Sequence, residues 1–182
     1  KSAIRRSFIQ AFLVIIFVIF SDTQISETRI IILDKLLSDS IMSYLFVTFC
    51  ILILMNGSNF IDGLNTLSLG YYLLISIVLF YLISNQSINL KYLSIEYLIC
   101  LITCAFIFNL KNKIYLGDSG SYLLGFSFAI FLIDVYNSNQ NISPFFIVLL
   151  LWYPCYENLF SIIRKRILKR SPMTPDTNHF HQ

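Results

Sequence analysis

Six apolar segments, separated by short polar stretches, constrain this chain more than any other feature. They run roughly over Ser7–Phe20, Ile41–Met55, Leu67–Ile83, Tyr92–Phe108, Tyr122–Tyr136 and Phe145–Ile163. A helix needs about 20 residues to cross the hydrocarbon core of a bilayer, so several of these must extend into flanking polar residues. A soluble reading fails on charge. Only 13 % of the 182 residues are charged and 57 % are hydrophobic, which is about half the charge of an ordinary soluble domain. The mean hydropathy of +0.73 excludes a disordered chain, which needs low hydrophobicity and high charge. A net charge of +3 is too weak to suggest binding to nucleic acid, whose phosphates must be neutralised in rows. The expectation is an all-α, polytopic transmembrane helical bundle of about six spans, one membrane domain over residues 1–182.

Lys1–Phe20 imitates a secretory leader, with Arg5 and Arg6 before an apolar stretch, but no small-x-small cleavage site follows. It reads as a transmembrane helix near the edge of a fragment truncated at both ends. Cys50, Cys100, Cys104 and Cys155 lie in apolar runs without further ligands at metal-site spacing. They read as small buried hydrophobes.

Loop charge sets the orientation. If all six segments cross, Lys1–Arg6, Asn56–Thr66, Asn109–Ser121 and Arg164–Gln182 share one side, with 10 of the 13 basic residues. Arg29, Lys35 and Lys91 fall on the other. By the positive-inside rule the first side is cytoplasmic. That count, made without regard to motifs, puts three unusual polar loops on one face: 56–66, 109–121 and 164–182. One shared cytoplasmic site is the simplest account.

In the second loop, Gly117-Asp118-Ser119-Gly120-Ser121 directly precedes an apolar helix. Glycines let backbone approach a ligand, a helix start suits phosphate, and a carboxylate suits Mg²⁺, which takes few protein oxygens plus substrate phosphates. The same residues serve equally well as a helix N-cap with flexible glycines. Tyr115, three residues before Asp118, is placed to stack on a base. In the first loop, Asn59 and Asp62 are three apart and share a helical face. They can bind a polar ligand, or simply cap a helix that ends at Gly63. His179 and His181 flank Phe180 in the last loop. They can hold a diphosphate, contact a sugar or move protons near neutral pH, or do none of these. Arg164-Lys165-Arg166 with Lys169-Arg170 reads as a topology anchor that also meets anionic lipid. Glu157 stands in the last apolar segment, where Pro154 is placed to break the helix and bring the carboxylate to a cavity.

Together, Asn59–Thr66, Tyr115–Phe126 and Ser171–His181 resemble the polyprenyl-phosphate sugar-1-phosphate transferases, glycosyl transferase family 4. The order, loop spacing and topology are similar over nearly the whole chain, and Gly117–Ser121 before Leu123-Leu124-Gly125-Phe126 is the most specific piece. The resemblance implies transfer of an N-acetylhexosamine 1-phosphate from a UDP-sugar to a membrane polyprenyl (undecaprenyl) phosphate, with release of UMP. It implies a bacterial plasma-membrane enzyme of cell-envelope glycan synthesis, dependent on Mg²⁺ or Mn²⁺, with its site on the cytoplasmic face; a homodimer is compatible with it. It makes Asp118 a metal ligand, Asn59 and Asp62 polar active-site residues near the diphosphate, and His179 and His181 contacts to the sugar phosphate. Tyr115 becomes a partner for uracil, beside the substrate-binding Gly117, Ser119 and Gly120. The muramoyl-pentapeptide branch carries adjacent histidines, where this chain has His179-Phe180-His181-Gln182. The chain also departs from the family pattern. The family's Asp-Asp pair is absent and is expected upstream of Lys1, without which this stretch is inactive. Asn65-Thr66 replaces a common Asp-Gly, Gln182 replaces a frequent His, and the stretch before Tyr115 is one residue short, which leaves Asn109 without a role. The readings kept beside this transferase are a phospho-N-acetylmuramoyl-pentapeptide transferase, a non-catalytic homologue and a transporter, the last of which would carry polar residues deep in several spans.

Overall fold

The computed structural model describes residues 3–25, 27–63, 66–86, 94–139 and 141–167, and among them every regular element is a helix. In chain order these are α1 (Ala3–Ser21), α2 (Ile31–Leu37), α3 (Ser40–Ile61), α4 (Leu67–Gln86), α5 (Ile95–Leu110), α6 (Gly117–Ser138), α7 (Pro144–Leu150) and α8 (Trp152–Ile167). The apolar segments fall on α1, α3, α4, α5, α6 and the pair α7–α8, which confirms the all-helical, membrane-type architecture.

The expected count of about six spans is not confirmed among the described residues. By length and composition α3, α4 (over Leu67–Ser84) and α6 can each cross a bilayer, and α7 with α8 makes a fourth only as a bent pair. At 16 residues α5 is too short, reaching about 24 Å of a core about 30 Å thick.

The bend between α7 and α8 is 74°, and its cause is in the sequence. Pro154 has no N–H to give the carbonyl four residues back, and its ring crowds that carbonyl. The orphaned acceptor is Leu150 O, and the Tyr71 hydroxyl of α4 donates to it at 2.6 Å.

α3 is the hub, touching α1, α2, α4, α6 and α8. Small residues let its neighbours come close, as at helix contacts in membranes generally. A Cβ on Gly57 would run into the Pro154 carbonyl of α8, and one on Gly125 of α6 would lie 2.5 Å from Ser58 Oγ and 2.8 Å from Met55 Cα. Tyr72, fully buried, hydrogen-bonds Ser58 at the same junction. The second half of α6, Phe128–Tyr136, is buried throughout.

The loop between α1 and α3 is fastened by its own polar side chains. Asp39 caps α3, accepting from Ile41 N and Met42 N. Asp34 Oδ1 accepts from both the N–H and the hydroxyl of Thr28, each at 2.6 Å. Tyr136 at the end of α6 donates to the Glu27 carbonyl at 2.7 Å.

Candidate active site

The opposite end of the bundle gathers the sequence-predicted residues of two motif loops. Asp62 is the C-cap of α3, and Asp118 lies in the first turn of α6. Antiparallel packing of the two helices brings these ends together. The Ser121 hydroxyl lies 3.0 Å from Asn59 Oδ1, and also within reach of the Gly117 and Asp118 carbonyls at 2.8 and 3.2 Å. Asn59 is thereby tied to the turn that carries Asp118.

Asp118 is not a cap. α6 begins after Leu116, with no side-chain cap, and Gly117 holds the left-handed φ of +62° that starts the helix. The Asp118 carboxylate is therefore free of local backbone duty, and its Oδ2 takes the Arg6 guanidinium at 2.6 Å. Its place in the first turn of α6 also sets it at the positive end of the helix dipole. Asp62 is different. Partial burial and then the nearby negative charge of Asp118 push its carboxyl up to about 6. The site thus holds two carboxylates that repel, with one guanidinium on one of them.

Ser119 and Tyr115 are exposed, Tyr115 at 66 %, so its ring is open to a stacking partner. Gly120 sits within α6, where a Cβ would press on the Leu116 side chain. The third motif loop lies outside the described residues, and with it His179 and His181. Asn65 falls outside as well.

Two residues the sequence reading passed over belong to this end. Arg6 was counted only as a topology charge. Asn109, left without a role, is buried at the end of α5, where it accepts from Thr66 N at 2.6 Å and donates to Ile114 O at 2.8 Å. It clamps the loop after α3 to the loop before α6. The signal was an amide side chain ending an apolar helix, a residue type that needs partners when buried. Glu157 is buried with Asn158 and Ser161 and does not line the cavity that Pro154 helps to shape.

That cavity, about 360 Å³, lies between the α1–α3 loop, α3, α6, α7 and α8. Its walls include Ile25, Cys50, Leu54, Ile133, Val148 and Leu151 and are nearly all apolar. From Leu54 to Asp62 is about 12 Å of helix.

Among the described residues no three His, Cys, Asp or Glu side chains come together. The donor set still fits a hard divalent cation. Asp118 and Asp62 offer carboxylate oxygens, Mg²⁺ needs few protein ligands beside substrate phosphates, and Asp118 already holds a cationic group in Arg6.

Comparison with known proteins identifies the family. The family model for glycosyl transferase family 4 matches residues 1–136. A probable undecaprenyl-phosphate N-acetylglucosaminyl 1-phosphate transferase of Bacillus subtilis is 32 % identical over 145 residues, 77 % of this chain and 40 % of that protein. An undecaprenyl-phosphate alpha-N-acetylglucosaminyl 1-phosphate transferase of Thermotoga maritima is 28 % identical over 129 residues, 70 % of this chain and 38 % of that one. The chain therefore spans about two fifths of the length of these relatives. No solved structure matches it. With the Gly117–Ser121 turn, Asn59 and Asp62 gathered at one end of an apolar bundle, and with most of the chain matched, the protein belongs to glycosyl transferase family 4.

Proposed function

We propose that the protein transfers an N-acetylhexosamine 1-phosphate from a UDP-sugar to a polyprenyl phosphate at the cytoplasmic face of a bacterial plasma membrane. The observation that carries this is the cluster of Asp118, Asp62, Asn59 and Arg6 at one end of a bundle otherwise made for lipid. The names of its relatives support an undecaprenyl phosphate acceptor and an N-acetylglucosamine donor.

In the reaction a phosphate oxygen of the acceptor attacks the β-phosphorus of the donor. The new P–O bond forms as the bridging bond to the α-phosphate breaks, and UMP leaves with that oxygen. Both partners are anionic, so alignment and charge screening carry most of the catalysis. Asp118 and Asp62 are the residues that would hold Mg²⁺, which supplies charge neutralisation when bound. Asn59, fixed by Ser121, presents a neutral polar group to the diphosphate. Tyr115 offers its exposed face to the uracil. The apolar cavity is of a kind that takes a prenyl tail, since it excludes water and opens between helices.

The test is UMP release by the full-length protein in detergent, given UDP-N-acetylglucosamine, undecaprenyl phosphate and Mg²⁺. Release needs all three, and Asp118→Asn brings it close to zero. Activity above about a tenth of wild type, a loss under 1.4 kcal/mol of transition-state stabilisation, would count against the metal role of Asp118. Solute flux in proteoliposomes without any UMP release would instead favour a transporter.

A further inference from the structure

Arg6 does more than mark topology. It comes from the first turns of α1, 112 residues away from Asp118 in sequence, and its Nη1 lies 2.6 Å from Asp118 Oδ2. Both side chains are at least half exposed. An ion pair this open adds little to a fold, so its presence is not explained by stability. It is also easily exchanged. Asp62 stands close enough to feel the charge of Asp118, so two carboxylates share this end of the bundle with Arg6. A guanidinium is a planar fork of donors that matches phosphate as well as carboxylate.

We propose that Arg6 is a placeholder cation. It holds Asp118 while the site is empty, gives that carboxylate up to an incoming divalent cation, and moves its guanidinium onto the phosphate that arrives. This rests on the transferase reading above and adds a substrate-binding residue to it. The move costs little because carboxylate and phosphate both offer the guanidinium fork a pair of anionic oxygens.

The experiment measures Mn²⁺ binding to the full-length protein without nucleotide, from the resonance signal of free Mn²⁺. Arg6→Gln removes the competitor and is expected to bind Mn²⁺ about two- to fivefold tighter than wild type, the range for an exposed pair. Arg5→Gln, which removes the same charge from the neighbouring exposed position, moves affinity less. In turnover, Arg6→Gln raises the KM for the UDP-sugar about tenfold or more, and Arg6→Lys restores part of it. Mn²⁺ affinity in Arg6→Gln equal to or weaker than in Arg5→Gln overturns the proposal, as does an unchanged KM. If Asp118→Asn binds Mn²⁺ as wild type does, the metal reading and the placeholder fall together. If Asp118→Asn loses the site while Arg6→Gln leaves affinity unmoved, the placeholder alone falls.

Discussion

The two ends of the bundle use the same residue types for opposite purposes. At the α1–α3 loop, carboxylates and hydroxyls turn inward to backbone: Asp34 takes both donors of Thr28, Tyr136 reaches Glu27, and Asn137 donates to the Gln24 carbonyl at 2.9 Å. At the Asp118 end two carboxylates stand near enough to repel, and burial together with that repulsion pushes Asp62 up to about 6. A pair of repelling acids is not a structural device. Polar groups that satisfy the backbone belong to the fold, and those held apart from it are kept for a ligand.

Exchanging one aspartate at each end sharpens this most. Asp118→Asn is expected to remove more than nine tenths of UMP release while shifting unfolding by only about 0.2–1 kcal/mol, the worth of an exposed ion pair. Asp34→Ala does the reverse. It strands the Thr28 N–H in a buried setting, costs about 1–3 kcal/mol, and leaves turnover per folded molecule unchanged. Thermal unfolding in detergent and UMP release, run on both variants, check the pair. Equal stability losses at the two ends would erase the contrast.

Asn109 breaks the simple division, since it does the work of the α1–α3 loop at the active end. Asn109→Ala removes the hydrogen bonds that Asn109 makes with the Thr66 N–H and the Ile114 carbonyl. We expect about 2–3 kcal/mol of destabilisation, with turnover falling as well because the Asp62 and Asp118 loops lose their tie. Stability lost with turnover intact would show the clamp to be structural only.

What the sequence could and could not say follows from these same contacts. Helix positions were legible because apolar runs need no tertiary partner to declare themselves. Asn59, Asp62 and Asp118 were legible because turn glycines and amide–carboxylate spacing mark them locally. The bend before α8 was foreshadowed by Pro154, since a missing N–H acts within one turn. Arg6 was not, because a basic residue at a helix start has a sufficient explanation in topology, and its partner is 112 residues away. Asn109 was missed for the same reason: its partners lie in two different loops. Span number was not legible, because segment counting cannot see that α5 stops at 16 residues.

The unfavourable charge at the Asp62 end should appear as a pH dependence. In the folded protein its carboxyl sits near 6 rather than 3.8, so the folded chain binds that proton more tightly than the unfolded one. The contribution to stability is therefore full below about 3.8 and is lost as pH rises through about 6. Asp62→Asn, which mimics the neutral acid, flattens this part of the profile and unfolds at a higher temperature than wild type at pH 7. Midpoints measured from pH 4 to pH 8 on both proteins test it, and parallel curves would show that neither burial nor Asp118 raises the Asp62 carboxyl.

The smallest effect belongs at the far end. Tyr136→Phe removes the hydroxyl that holds Glu27 O but keeps the buried ring. Because Glu27 is exposed, water replaces the lost donor, and the cost should be about 0.5–1.5 kcal/mol with no change in UMP release or Mn²⁺ affinity. A loss of either would mean that the end of α6 is mechanically coupled to its start, about 30 Å of helix away. The two ends would then have to be treated as one device.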